Sequence, residues 1–304
     1  MEPDLILSAS DLHLLESRTA VIPRDDAVFH LAGPGAVDCL QGVLTNDIVR
    51  PGAEGLVWGA LLTPKGMIIS DAWVRRRGAE AWVIVPSAAR ERIQQLFTRS
   101  FPPRLAKVSD VTDRCAVRWL TRGSPEAMDG ADLVHPSGPA PFAALLLTEH
   151  AARDDAYLQE AGWRTVPTAW ADALKLLEGW PTLNREIDDK TLPQEVRFDE
   201  LEGVRYDKGC YTGQETVARL HFRGHANRSL RGLRWRGDAG PADRAVRVAE
   251  RDVGTVRTLA RFDATWYALA LLRREVTVGD VVTAGGVEAV VVELPFRGMP
   301  RESA

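Results

Sequence analysis

Lys208-Gly209-Cys210-Tyr211-Thr212-Gly213-Gln214-Glu215 places a lysine, a thiol, a phenol and a carboxylate within one short run, divided by two glycines. Background composition does not explain it. The chain holds 3 cysteines in 304 residues, and only five of its 38 basic residues are lysine. Thr212 to Glu215 has the T-x-x-E form of a capping box, so a helix is expected from there through Phe222. Cys210 then lies just before a helix N-terminus, where the helix dipole and Lys208 both favour a thiolate. The two glycines let backbone approach a ligand closely. Cys210 also reads as a buried small hydrophobe, Glu215 as a plain helix cap and Tyr211 as core. Both sets of readings stay open on these residues alone.

Outward from this run, the pattern is mixed. Residues 27–32 read as a strand, broken by Gly33-Pro34-Gly35, and Ala36 to Leu44 as a short helix. Residues 56–62 and 67–75 read as strands around the turn Thr63-Pro64-Lys65-Gly66, with another strand at 81–85. Apolar positions at helical spacing predict a helix over Pro86 to Phe97. The stretch 121–141 reads as a loop, and 151–161 and 167–178 as helices. Gly203 to Tyr206 reads as a strand end. Past residue 228, six short apolar or alternating runs (229–235, 245–249, 253–260, 265–272, 280–283 and 287–293) predict a small barrel or sandwich. The domain boundary is therefore set near Ala226, giving regions 1–226 and 227–304, and no internal repeat is found.

Composition excludes several classes. Apolar residues at 45% and charged residues at 26% are ordinary for a globular protein. A net charge of −4 argues against a protein that coats nucleic acid. Cys39, Cys115 and Cys210 form no CxxC pair, which argues against a cysteine zinc site, a disulfide framework or a resident iron–sulfur cluster. Met1 to Ser10 lacks signal-peptide features, and no run approaches 18 apolar residues, so a cytoplasmic setting without membrane contact is expected.

Other residues carry weaker signals. Arg219, Arg223, Arg228, Arg231, Arg234 and Arg236 crowd one segment, and Thr216 to Gly237 contains no acid. Such a run suits an anionic ligand or an RNA backbone, and equally the solvent face of a strand. Asp71, after Met67-Ile68-Ile69, reads as a strand-end residue or a ligand contact, and Glu195 in Leu192-Pro193-Gln194-Glu195 is equally ambiguous. Gly33-Pro34-Gly35 lacks the third glycine of a dinucleotide fingerprint, so nucleotide binding is set aside.

Taken together, these segments resemble one family. Lys208 to Glu215 looks like the K-G-C-Y-x-G-Q-E signature of the YgfZ family of folate-binding proteins, relatives of the aminomethyltransferase (T-protein) of the glycine cleavage system. Gln41-Gly42 with Thr45-Asn46-Asp47, Thr63 to Gly66 with Asp71, Glu178-Gly179-Trp180-Pro181, Leu192 to Glu195, and Ala218-Arg219 with Arg223-Gly224 are similar to the family's other segments. The resemblance implies an α+β fold, with two ferredoxin-like units and a C-terminal β-barrel in a three-lobed ring. It implies tetrahydrofolate or a one-carbon derivative as ligand. Glu195 and Asp71 would meet the pterin and folate nitrogens, Tyr211 and Gln214 would line the site, and Arg219 or Arg223 would meet the glutamate tail. Cys210, with Lys208 and Asp71, would be the reactive group. T-protein carries an acidic residue where Cys210 stands, which argues against ordinary aminomethyl transfer. The implied role is support of iron–sulfur enzymes, including those that thiolate tRNA, through contacts with such enzymes, their assembly proteins or RNA. A folate-dependent transferase and a non-catalytic docking scaffold are the alternatives.

Overall fold

A computed structural model of the chain describes residues 4–8, 10–11, 20–121 and 132–296. Two five-stranded sheets and a closed barrel organise it. In the first sheet the spatial order is Leu56–Leu62, Ile68–Arg77, Glu80–Pro86, Asp26–Ala32 and Lys107–Asp110, every pair antiparallel. Strand side chains alternate between faces, so Trp58, Ala60, Asp71 and Trp73 share one face of this sheet. The helix Arg90–Ser100 sets Ile93 and Phe97 into the core, Phe97 meeting Phe29 edge-on at 5.7 Å. The second sheet runs Arg164–Thr165, Ala20–Arg24, Ala116–Leu120, Ala144–Thr148 and Asp132–Val134, antiparallel except for the first pair.

The barrel takes Arg228–Arg236, Ala245–Val248, Arg251–Phe262, Thr265–Arg273, Val281–Ala284 and Val287–Val292. Pairing of Arg251–Phe262 with Thr265–Arg273 closes the ring, which removes its exposed edges. Leu5–Leu7 adds outside in parallel to Arg251–Phe262. The interior is filled by Leu233, Trp235, Val256, Leu259, Trp266 and their neighbours. Leu230, Leu269, Leu271, Val292 and Phe296 instead join the large core that both sheets share.

All six expected barrel strands form. The helix expected over Ala36 to Leu44 stops at Gln41, for a reason described below. The one at Pro86 opens as a 3-10 turn over Ser87–Ala89, and the one at 167 begins at Trp170. No strand forms over 203–206, whose backbone is bonded to Phe198 and Thr45 instead. The expected loop 121–141 contains the strand Asp132–Val134, and its residues 122–131 lie outside the described residues. The capping box at Thr212 to Glu215 is not formed. Gly213 is the N-cap of the helix Gln214–Arg223, at φ 82°, with no side-chain cap bond. A left-handed N-cap suits glycine, and it does not take the extended backbone that a side-chain cap requires.

Candidate functional site

Segments that are far apart in sequence meet around the Lys208–Glu215 run. Lys208 is 9% exposed, and its ammonium donates to the carbonyls of Gln41, Leu44 and Asn46 at 2.8, 2.7 and 2.8 Å. The last carbonyls of a helix have no partner within it, and a cation there also suits the dipole. Lys208 therefore ends the helix Ala36–Gln41 and holds Gln41 to Asp47 against the run. All three ammonium donors are occupied by this clamp. Burial pulls the Lys208 ammonium down to about 8, against the opposing charge of Asp47. Backbone bonds from Thr212 to Gly42 (3.0 Å) and from Arg205 to Thr45 (3.0 Å) extend the seam. Asn46 donates to the carbonyls of Trp58 and Glu202.

The turn Thr63 to Gly66 crosses the run at van der Waals distance. A Cβ on Gly213 would stand 2.6 Å from the Thr63 carbonyl and 3.0 Å from the Gly66 Cα. One on Gly66 (φ 86°) would stand 2.8 Å from the Thr216 Cβ. These two glycines are thus required twice, by backbone conformation and by contact. Leu192 to Glu195 closes a third side. The Ile68 N–H donates to Thr191, and the Gln194 amide donates to the Tyr206 hydroxyl (3.0 Å) and the Val217 carbonyl (3.2 Å).

Within this frame Cys210 is an exposed free thiol. Tyr211 turns inward, its ring 5.3 Å from the Lys208 ammonium and its buried hydroxyl without a partner among the described residues. Burial and Asp199 push that hydroxyl above the ordinary phenol range. Gln214 begins the helix half-buried, while Glu215, Arg219 and Arg223 are exposed.

Asp71 faces the interior. It is 3% exposed, one oxygen accepts from the Trp58 indole at 3.2 Å, and the other is buried with no partner among the described residues. Trp58 stacks on Phe198 at 4.1 Å and lies 4.5 Å from Trp180, whose indole N–H is also buried and has no partner among the described residues. An unused acceptor and an unused donor therefore share one aromatic nest. A small cleft of ≈ 40 Å³ reaches Trp58 and Trp73 past Asn46, Asp47 and Arg205. Asp71 and Cys210 face differently, the carboxylate into this nest and the thiol to solvent.

Glu195 is held by Arg228 through two bonds of 2.7 and 3.0 Å, and also accepts from the Leu192 N–H at 3.0 Å. Arg228 thereby ties the barrel strand Arg228–Arg236 to the turn Pro193–Val196. The arginine run is divided accordingly: Arg228 is committed to Glu195, and Arg231 has a buried Nε atom. The sequence marks His221 only as near Cys210 along the chain and does not single out Tyr206 or Asp199; the structure joins the three in one cluster. The Tyr206 hydroxyl donates to Asp199 at 2.6 Å, and its ring stacks on His221 at 3.7 Å. Only their closeness to the Pro193 to Glu195 and Lys208 to Glu215 segments could have pointed to them.

Among the described residues no cluster of His, Cys, Asp and Glu could hold a metal ion, and no helix is long and apolar enough to cross a membrane. No family model matches the chain. It is 28% identical over 283 residues to the tRNA-modifying protein YgfZ of Serratia proteamaculans, covering 84% of this chain and 85% of that protein. The protein of the same name from Sodalis glossinidius is 28% identical over 259 residues, covering 79% and 77%. The crystal structure of glycine cleavage system aminomethyltransferase T from Bartonella henselae superposes with a TM-score of 0.74, covering 94% of this chain and 89% of that one, at 17% identity. That likeness is one of fold.

Proposed function

We propose, from the premise that this chain belongs to the YgfZ family within the T-protein-like superfamily, that it is a folate-binding accessory protein in tRNA modification. The observation that carries the reading is the convergence of Gln41 to Asp47, Thr63 to Gly66, Leu192 to Glu195 and Lys208 to Glu215 around one exposed thiol. The reading extends to support of iron–sulfur enzymes that thiolate tRNA, in the cytoplasm, with the three sheets disposed as two ferredoxin-like units and a barrel divided near residue 226.

The donor set of the aromatic nest is compatible with a folate. A pterin edge carries adjacent N–H donors beside ring acceptors, which complements the free Asp71 oxygen and the free Trp180 N–H. Buried polar atoms without partners are uncommon, and two of opposite kind in one nest favour a ligand. Asp71 would hold the ring nitrogens, with Trp58, Trp180 and Phe198 as its flat walls. Small-molecule sites span about 300–1,000 Å³ and the cleft that reaches Trp58 and Trp73 holds ≈ 40 Å³, so a ring held by Asp71 would require Trp58 or Trp73 to shift. Glu195 meets the ligand only by sharing its carboxylate with Arg228. Bound folate would supply a one-carbon carrier. Lys208 positions the run and Cys210 supplies the nucleophile.

The test is complementation of a strain lacking its own copy, read as activity of an iron–sulfur enzyme and as tRNA thiolation. Cys210→Ala is expected to fail while remaining folded. Full rescue by that variant would remove the thiol from the function. A folate-dependent aminomethyltransferase is the second reading, favoured by the free Asp71 oxygen alone. Turnover of a lipoyl-carrier substrate with tetrahydrofolate would establish it, and none at saturation would end it.

A further inference from the structure

Phe222 is 67% exposed, a large cost for an aromatic side chain near the end of the helix Gln214–Arg223. It is not loose. Its ring stands edge-on to Tyr206 (5.6 Å, 71°) and to His221 (4.8 Å, 88°), and Tyr206 is tethered through its hydroxyl to Asp199 and Gln194. The chain thus supports the ring from below and leaves it presented to solvent.

Positively charged groups surround it. Arg219, Phe222 and Arg223 fall at i, i+3 and i+4, on one helix face. Both arginines are exposed and, among the described residues, neither meets an acid within ion-pair distance. Most other arginines here are paired, such as Arg75 with Asp132 and Glu54, Arg118 with Asp155 and Arg228 with Glu195. His225 is exposed just beyond the helix. Glu215 stands one turn before Arg219 on the same helix, and Asp199 is bonded to Tyr206 and His221.

We infer that Arg219, Phe222 and Arg223 form a docking face for a single-stranded segment of RNA, with one base stacked on Phe222 and adjacent phosphates on the two arginines. A flat aromatic between unpaired cations is the arrangement that captures an unstacked base without reading its identity. Arg228 and Arg231 take no part, because the first is spent on Glu195 and the second has its Nε buried. The inference rests on the tRNA-modification reading and names the surface that reading would use.

The test is fluorescence anisotropy of a labelled oligouridylate over a range of salt, with a duplex RNA of equal length as comparator. The full chain is expected to prefer the single strand. Phe222→Ala should weaken binding about tenfold with the salt slope unchanged, and Phe222→Trp should restore it. The double variant Arg219→Ser with Arg223→Ser should lower the slope of log affinity against log salt by about 1.4, two phosphate contacts at ~0.7 each. Unchanged melting temperatures establish that the variants are folded. Equal affinity of Phe222→Ala and the unaltered chain overturns the inference. So does an absence of RNA binding at low salt, which would leave a protein as occupant, and so does a dimer lost on Phe222→Ala. Failure here leaves folate titration and Cys210 complementation untouched, so the two readings fall separately.

Discussion

Replacing Lys208 by methionine keeps the length of the side chain and removes its ammonium. Three buried carbonyls, on Gln41, Leu44 and Asn46, then lose their donor. A buried acceptor without a partner costs about 1–3 kcal/mol, so three cost roughly 6. Part of this is offset, because methionine is not penalised for burying a charge. That penalty appears in the drop of Lys208 from 10.5 to about 8, worth about 3 kcal/mol at ~1.4 per unit. The expected net loss is about 3 kcal/mol, which lowers the melting temperature by roughly 5 °C for a chain of this size. Denaturant titration and calorimetry measure it, and hydrogen exchange should show Gln41 to Asp47 loosened first. Lys208→Arg should also destabilise, since a planar fork does not converge on three carbonyls as a point charge does. A loss under ~1 kcal/mol for Lys208→Met, with exchange at 41–47 unchanged, refutes the clamp.

Gly213→Ala meets both a φ of 82° and a Cβ 2.6 Å from the Thr63 carbonyl, so we expect a loss of about 2–4 kcal/mol; a melting temperature within a degree of the unaltered chain would contradict it. Asp71→Asn keeps an oxygen for the Trp58 indole, so stability should change by less than ~1 kcal/mol while tetrahydrofolate affinity, followed by tryptophan fluorescence, falls about tenfold; unchanged affinity would exclude Asp71 from the site. Burial opposes the ionised form of Asp47, yet the N–H groups of Val49 and Arg50, the Gln41 amide and the Lys208 charge hold its pKa below the usual 3.8. A depressed folded pKa stabilises the fold above the unfolded value and that contribution is lost as pH falls through the folded one. Asp47→Asn should therefore flatten part of the stability loss below pH 3.8, and an acid limb identical to that of the unaltered chain would count against it.

Alternation and turn signals made the barrel legible, because its strands follow one another closely and turn residues such as Gly237, Asp263, Asp280, Gly285 and Gly286 separate several of them. The strands Ala20–Arg24, Ala116–Leu120 and Ala144–Thr148 went unread. Runs such as Ala-Leu-Leu-Leu-Thr are buried throughout and show no period. The helix from Gln214 was legible, but its capping box was not real, because close packing of Gly213 on Gly66 sets the N-cap backbone.

By itself the sequence determined that Lys208 to Glu215 is exceptional and that its glycines invite a close approach, which Gly213 makes to the Thr63 carbonyl while Gly209 stands in open space. It could not say which of those reactive groups is free. Tertiary structure decided that Lys208 is consumed by three carbonyls, that Glu195 is matched by Arg228, and that Asp71 keeps one oxygen unused. It also divided the arginine run, leaving Arg219 and Arg223 to solvent beside Phe222. The reason is physical. Residue type and local spacing fix what a group can donate or accept, whereas the partner that takes up that capacity comes from another segment, 33 residues away for Glu195 and 167 for Lys208 with Gln41.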